Sequence, residues 1–374
     1  MIPSLYYVSN EKRKGDHPLR IKQDNQIDFK GQDFYIGLDV HKKSWAVVIR
    51  NSGMRLKNYS MDPSPVQLKQ YLDQNYPGGT YHVVYEVGYF GFWICRAFRE
   101  MGIKCIVVNP PDIPTAHKEK DRKADPVDAG KLARELEKGE LKCIYIPNEE
   151  DQHIRSLCRL YRKAVQDSTR VKNRIKGHLY FNGVKLPFES SYWSGKMIAH
   201  MESLPLDNGP ARDYLILCLD ELQYHRQRMV TIIGKVRHYV RQGRGSSIFQ
   251  NLLTIPGIGF KTAITFYSEI INMNRFPNFE HLKSYVGLVP SISSSGETEY
   301  TRGLTYRSNK LLKYVLIESA WVAIRKDPAL LHSFNKLILR MKKQEAIIRI
   351  AVKLLRRIRY VWQNNTPYAF GVLR

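Results

Sequence analysis

No apolar run in the sequence approaches the roughly 18 residues that a membrane-spanning helix needs, which excludes an integral membrane placement. The opening MIPSLYYVSNEKRKGD lacks an apolar core of signal-peptide length, so export is not expected. Cysteine is scarce: the 374 residues hold five, an odd number with no C-x-x-C pair. That argues against a disulfide framework or a structural zinc and fits a reducing, cytoplasmic setting. A G-x-x-x-x-G-K-[ST] phosphate loop is absent, so ATP hydrolysis is not suggested, and the histidines form no H-E-x-x-H pair. Acids are in short supply too, with 35 Asp and Glu against 59 Lys and Arg, a net charge of +24. A surplus of that size needs a polyanionic partner, and nucleic acid is the first reading.

What is present divides the chain into four stretches. Residues 1–32 form a polar leader without sustained periodicity. From 33 to 148, short apolar strands alternate with helical patterns. Strands are read at 34–40, 44–50, 81–86 and 103–108, with a further short one near 58–60. Helices are read at 65–75, 90–101 and 126–138, and the alternation predicts an α/β layer on a mixed sheet. From 149 to 245 two long helices are predicted. Ile154, Leu157, Tyr161, Ala164, Ser168, Val171, Ile175 and Leu179 keep a 3–4 spacing, as do Leu215, Leu219, Leu222, Met229, Ile232, Val236 and Tyr239. This spacing fits equally an antiparallel coiled-coil arm used for dimerisation and two amphipathic helices of a bundle, separated by an irregular insert. Residues 246–374 read as mainly helical. Between Arg302 and Arg359 they carry 15 Lys and Arg against 3 acids, where a solvated helix face would interleave both signs.

Four acids draw attention. Asp39 closes the strand YIGLDV and Glu86 closes VVYE, and an acid inside an apolar strand is costly unless it lies at a rim or holds something. Asp125 and Asp128 open a helix in ADPVDA. Helix capping and the dipole explain that pair by themselves, with Asp125 as the cap, Pro126 in the first turn and Asp128 near the positive end. The same geometry keeps both ionised on one side of the helix start, as ligands of a hard cation must be. If the four converged at one sheet edge, divalent ions would be needed to relieve their repulsion, and two Mg²⁺ could serve phosphodiester chemistry. Lys118, Lys120, Arg122 and Lys123 add positive charge beside them.

Two further motifs stand out in the last stretch. Leu253-Thr254-Ile255-Pro256-Gly257-Ile258-Gly259, followed by Lys261, has the form of a helix–hairpin–helix turn whose amides could meet a phosphate. Ser293-Ser294-Ser295-Gly296 reads first as a plain loop. A serine there would need activation to act as a nucleophile, and the residues alone do not choose among the three. Arg302, Arg307 and Lys310 follow closely enough to hold a scissile phosphate.

In this order, IGLDVHK at 36–42, YEVG at 85–88, DPVDA at 125–129 with KLAR at 131–134, IPGIG at 255–259, GLVP at 287–290 and SSG at 294–296 resemble one known family. It is the DEDD transposases of the insertion-sequence family numbered one hundred and ten, the pilin-gene-invertase class. The resemblance implies a RuvC-like, RNase-H-type α/β domain, a coiled-coil middle and a C-terminal transposase domain. It makes Asp39, Glu86, Asp125 and Asp128 the Mg²⁺ ligands, with Mn²⁺ as a substitute, and Ser295 the nucleophile that forms a covalent DNA intermediate. It further implies donor and target double-stranded DNA, a structured guide RNA from the same element, and a dimer or tetramer in which the metal site of one protomer meets the serine of another. The leader and residues 190–209 match nothing in the family pattern. Two other functions fit the residues: a metal-dependent Holliday-junction-type nuclease using water, and a non-catalytic nucleic-acid-binding protein whose acids are only caps and strand ends.

Overall fold

The structure, a computed structural model, describes residues 28–114, 125–185, 193–204, 206, 209–243, 245–295 and 298–370, with the backbone alone at 125, 292–295 and 298–302. The leader therefore lies outside the described residues up to residue 27, as does the basic stretch holding Lys118, Lys120, Arg122 and Lys123. Two compact units emerge, one ending at Ile146 and one beginning at Pro147.

The first unit is a five-stranded mixed sheet. Its elements are β1 (Asp33–Val40), β2 (Trp45–Asn51), β3 (Met54–Met61), α1 (Pro65–Asn75), β4 (Thr80–Glu86), α2 (Trp93–Glu100), β5 (Lys104–Val108) and α3 (Asp125–Glu137). The strand order is β3-β2-β1-β4-β5; β1 runs parallel to β4 and β4 to β5, while β1, β2 and β3 form an antiparallel meander. This mixed sheet is compatible with an RNase-H-like domain. The third strand runs well beyond the few residues the sequence suggests, because β3 is an exposed edge with little apolar alternation to read.

Strand alternation gives the sheet two different faces. Ile36, Leu38, Trp45, Val47, Ile49, Val83 and Tyr85 point to one side, under Leu68 and Leu72 of α1 and Ile94, Cys95 and Phe98 of α2. The other side carries Ala46 and Val48 beneath Ala129 and Ala133 of α3, and Val84 beneath Leu132. Small residues there let α3 lie almost on the sheet backbone. At the far end of α3, Glu137 accepts hydrogen bonds from Arg50 Nε at 2.8 Å and the Gly53 amide at 2.6 Å, tying the helix to the β2–β3 turn.

The second unit is mostly helical: α4 (Glu149–Phe181), α5 (Gly195–Glu202), α6 (Pro210–Gln242), α7 (Ser246–Leu253), α8 (Phe260–Ile270), α9 (Phe279–Val286), α10 (Lys310–Lys326), α11 (Pro328–Ile338) and α12 (Lys343–Asn364). An antiparallel hairpin of β6 (Pro290–Ser295) and β7 (Thr298–Leu304) interrupts it. The long helices α4 and α6 pack antiparallel: Arg174 pairs with Glu221 at 2.7 Å, and His178 Nε2 lies 2.7 Å from the Ala211 carbonyl. Their outer halves share a core of Val171, Ile175, Leu179, Leu215, Leu219 and Leu222, closed by Met197, Ile198 and Met201 of α5. Part of the insert that reads as irregular is thus a short helix. Their inner halves, through Ile154, Ala164, Ile232 and Val236, belong to the core of α7–α12. Tyr239 departs from the sequence stripe: it is exposed and Val240 is buried, because a straight helix of 3.6 residues per turn drifts against a heptad.

Candidate nuclease site and glycine turn

The acids are placed by backbone geometry. The last paired residues of β1 and β4 are Leu38 and Tyr85, so Asp39 and Glu86 come next in register at the carboxyl ends of two parallel neighbours. Leu38 and Tyr85 face α1 and α2, so by alternation Asp39 and Glu86 lie on the α3 side. The approach of α3 is fixed at Gly37. A Cβ there would sit 2.0 Å from the Ala129 carbonyl oxygen and 2.6 Å from the Ala133 amide, so only glycine permits this helix position. Asp128 immediately precedes Ala129, and docking at Gly37 brings it to the two strand ends.

The electrostatics agree. Burial first, then the charges of Asp128 and Asp39, push the Glu86 carboxyl above its ordinary range, and Lys131 offsets only part of this. His41 Nε2 lies 3.3 Å from Asp39 Oδ2, and His41 is exposed. Asp125 opens α3, and its side chain lies outside the described residues. Among the described residues no three acid, histidine or cysteine side chains form a ready metal cluster. Asp39 and Glu86 stand at neighbouring strand ends, and Glu86, raised chiefly by burial, also feels the charges of Asp128 and Asp39; carboxylate oxygens are the donors that a hard divalent cation takes.

A stability prediction follows with a definite sign. Glu86 binds its proton more tightly folded than unfolded, so the metal-free protein loses stability as pH rises from the ordinary carboxylate value through the raised one. Glu86→Gln is expected to remove that loss, melting higher than wild type above this window and level with it below. Added Mg²⁺ should stabilise wild type and not the variant. Equal melting of the two proteins at both pH extremes would contradict the reading.

In the second unit, α7 and α8 are joined by the turn 254–259. Gly257 has a φ of +86°, and a Cβ on it would lie 2.4 Å from the Ser319 carbonyl and 2.9 Å from the Ala323 amide. It therefore serves the docking of α10 as well as the turn. Gly259 meets no such constraint; it caps α8 without a side-chain acceptor and leaves the first amides of that helix open to an anion. Lys261 is exposed in the first turn of α8.

Ser293, Ser294 and Ser295 are not a loop. They form the end of β6, with Ser295 opposite Thr298 in the ladder. Arg302 lies in β7 with its side chain outside the described residues. Arg307 is exposed just beyond the hairpin, and Lys310 opens α10 with its Nζ 4.0 Å from the Tyr306 ring centroid. The structure thus holds Asp39, Glu86 and Asp128 in the first unit and the serines, the glycine turn and Lys310 in the second.

Comparison with known proteins gives these features a common source. A family model for a DEDD transposase of the IS110 type matches residues 36–182, and a second, described as "Transposase IS116/IS110/IS902 family", matches 249–335. The chain belongs to the IS110 family of transposases. The transposase for insertion sequence element IS1533 of Leptospira borgpetersenii is 29% identical to it, over 77% of this chain and 84% of that protein. The y4qE protein of Sinorhizobium fredii is 28% identical over 78% of this chain and 72% of its own length. The transposase for insertion sequence element IS1111A of Coxiella burnetii is 24% identical over 62% of each. The first matched segment of this transposase contains all four acids, and the second contains the glycine turn and Ser295.

Sequence reasoning missed Gly37, whose signal, a lone glycine in an apolar strand, marks close backbone approach. It also missed Glu269, which is buried and accepts from Arg159 Nε at 2.9 Å, Arg159 Nη2 at 3.0 Å and Asn309 Nδ2 at 3.1 Å. Burial alone would raise that carboxyl, but hydrogen bonds and charge from Arg159, with Arg155 and Asn309, outweigh it and hold it low. Its signal was a single acid in the otherwise apolar and neutral run TAITFYSEI.

Proposed function

We propose that this transposase cleaves and rejoins DNA strands with a metal site of Asp39, Glu86, Asp125 and Asp128 in one protomer and Ser295 of another copy as the nucleophile. What supports the acid half of the reading is the place of Asp39 and Glu86 at the ends of adjacent parallel strands, together with the charge that Asp128 and Asp39 exert on the half-buried Glu86. Divalent cations held by these carboxylates, Mg²⁺ or Mn²⁺ in its place, would supply activation of the attacking oxygen and stabilisation of the departing one. Ser295 Oγ gives up its proton and bonds to phosphorus as the bond between that phosphorus and one deoxyribose oxygen breaks. The departing oxygen gains a proton, and the reverse attack rejoins the strand. Arg302, Arg307 and Lys310 hold the phosphate, while the amides after Gly259, with Lys261, hold the duplex backbone. Lys118, Lys120, Arg122 and Lys123, which precede Asp125 in the sequence, are given the same part. A structured RNA that pairs with donor and target DNA, and further copies of the chain, complete the assembly; the family resemblance and the +24 charge support this part.

Metal removal tests the proposal. With labelled target DNA and the element's own RNA, EDTA is expected to abolish cleavage and excess Mg²⁺ to restore it, while binding through the basic surface persists. Cleavage that continues in EDTA would contradict the role given to the acids.

A further inference from the structure

The second unit contains a cavity of about 430 Å³, open to solvent, where α4, α6, α8 and α10 meet. Well-packed cores leave few voids that size, and pockets that enclose small ligands span about 300–1,000 Å³. Tyr161, Val165, Leu311, Tyr314 and Val315 give it mainly apolar walls, and Tyr314 is well exposed. Three cations, Arg159, Arg162 and Lys261, also line it, against one carboxylate, Glu269.

That carboxylate is already committed. Glu269 clamps the Nε–Nη2 edge of Arg159, although the arginine side chain is 60% exposed and the glutamate 4%. The opposite edge, ending in Nη1, has no partner among the described residues. An exposed guanidinium held from behind by a buried acid is a preorganised anion donor, since its rotamer entropy is already spent in folding. Glu269 also accepts from Asn309, the cap of α10, so the helix carrying Leu311, Tyr314 and Val315 is set by the same group. Lys261 Nζ stands 5.7 Å from the Tyr161 ring centroid, which holds a second cation at the wall. Apolar aromatic walls beside fixed cations match one chemistry: a flat base attached to a phosphate.

We propose that this cavity takes the unpaired base of a nucleotide in an RNA or DNA strand, with the ring against Tyr314 and the apolar wall and the flanking phosphate on Arg159, Arg162 and Lys261. The inference rests on the nucleic-acid reading above and adds to it a site for a base out of the helix. A fully paired duplex keeps its bases stacked and offers the cavity only backbone.

The test uses the full chain with duplexes carrying a single bulged 2-aminopurine, in RNA and in DNA, and their fully paired counterparts. Wild type is expected to bind the bulged probe about tenfold more tightly than the paired one, with a change in 2-aminopurine fluorescence. Tyr314→Ala removes the stacking ring and Val165→Trp fills the cavity; both positions are exposed, and both variants should lose the preference while still binding paired probe. A preference confined to RNA or to DNA identifies the source of the base, and either supports the site. Binding of bulged and paired probes within twofold in wild type, or a preference that survives both variants, overturns it. Failure of wild type to bind any probe would instead bring down the nucleic-acid reading beneath it.

Discussion

Gly37→Ala is expected to destabilise the first unit by about 3 kcal/mol or more, the largest effect of any single methyl group in it. The added carbon meets backbone, the Ala129 carbonyl and the Ala133 amide, and not the yielding end of a side chain. Either α3 lifts from the sheet or β1 bends, and both movements carry Asp128 away from Asp39 and Glu86. Gly130→Ala, in the same helix, is the matched control. Its Cβ would reach only ordinary contact with Val48 at 3.9 Å, so removing a helical glycine should stabilise by roughly 0.5–1 kcal/mol. Urea titration with amide exchange read at β1 and α3 distinguishes the two. A neutral Gly37→Ala would mean that α3 does not dock where described.

Asp39→Asn is expected to lower strand cleavage by about a thousandfold or more, roughly 4 kcal/mol at the transition state, with DNA and RNA affinity little changed. The substitution preserves shape and removes one charge from the cluster. Its effect on stability should be small, because the His41 contact it weakens is with an exposed partner. Cleavage assays under single-turnover conditions, paired with binding measured at fixed salt, separate the two quantities. Cleavage within tenfold of wild type would remove Asp39 from the metal site.

Much of the first unit was legible because its apolar strands and amphipathic helix patterns are short and sharply bounded; the helix read at 65–75 is α1, which the structure shows capped by Ser64. The partnership of Asp39 with Glu86 was not, since strand register and the choice of neighbour are long-range facts. Nor could the sequence distinguish Asp128 as a dipole partner from Asp128 as a ligand; it is the docking of α3 over Gly37 that brings it to the strand ends. In the second unit, β6 and β7 escaped because PSISSS and TEYTRGL lack the apolar alternation that signals a half-buried strand. The choice of Ser295 among three adjacent serines came from the family pattern alone, and the ladder pairing with Thr298 places its backbone without choosing its chemistry.

The most direct test of the central claim is therefore a denaturing gel of the purified transposase with Mg²⁺, labelled DNA and the RNA transcribed beside its gene, comparing wild type with Ser295→Ala. The account predicts a protein-linked DNA band that survives boiling in wild type and is absent in the variant, which folds normally. Free cleaved ends without any adduct, as abundant with Ser295→Ala as with wild type, would contradict it and leave a metal-dependent nuclease that uses water.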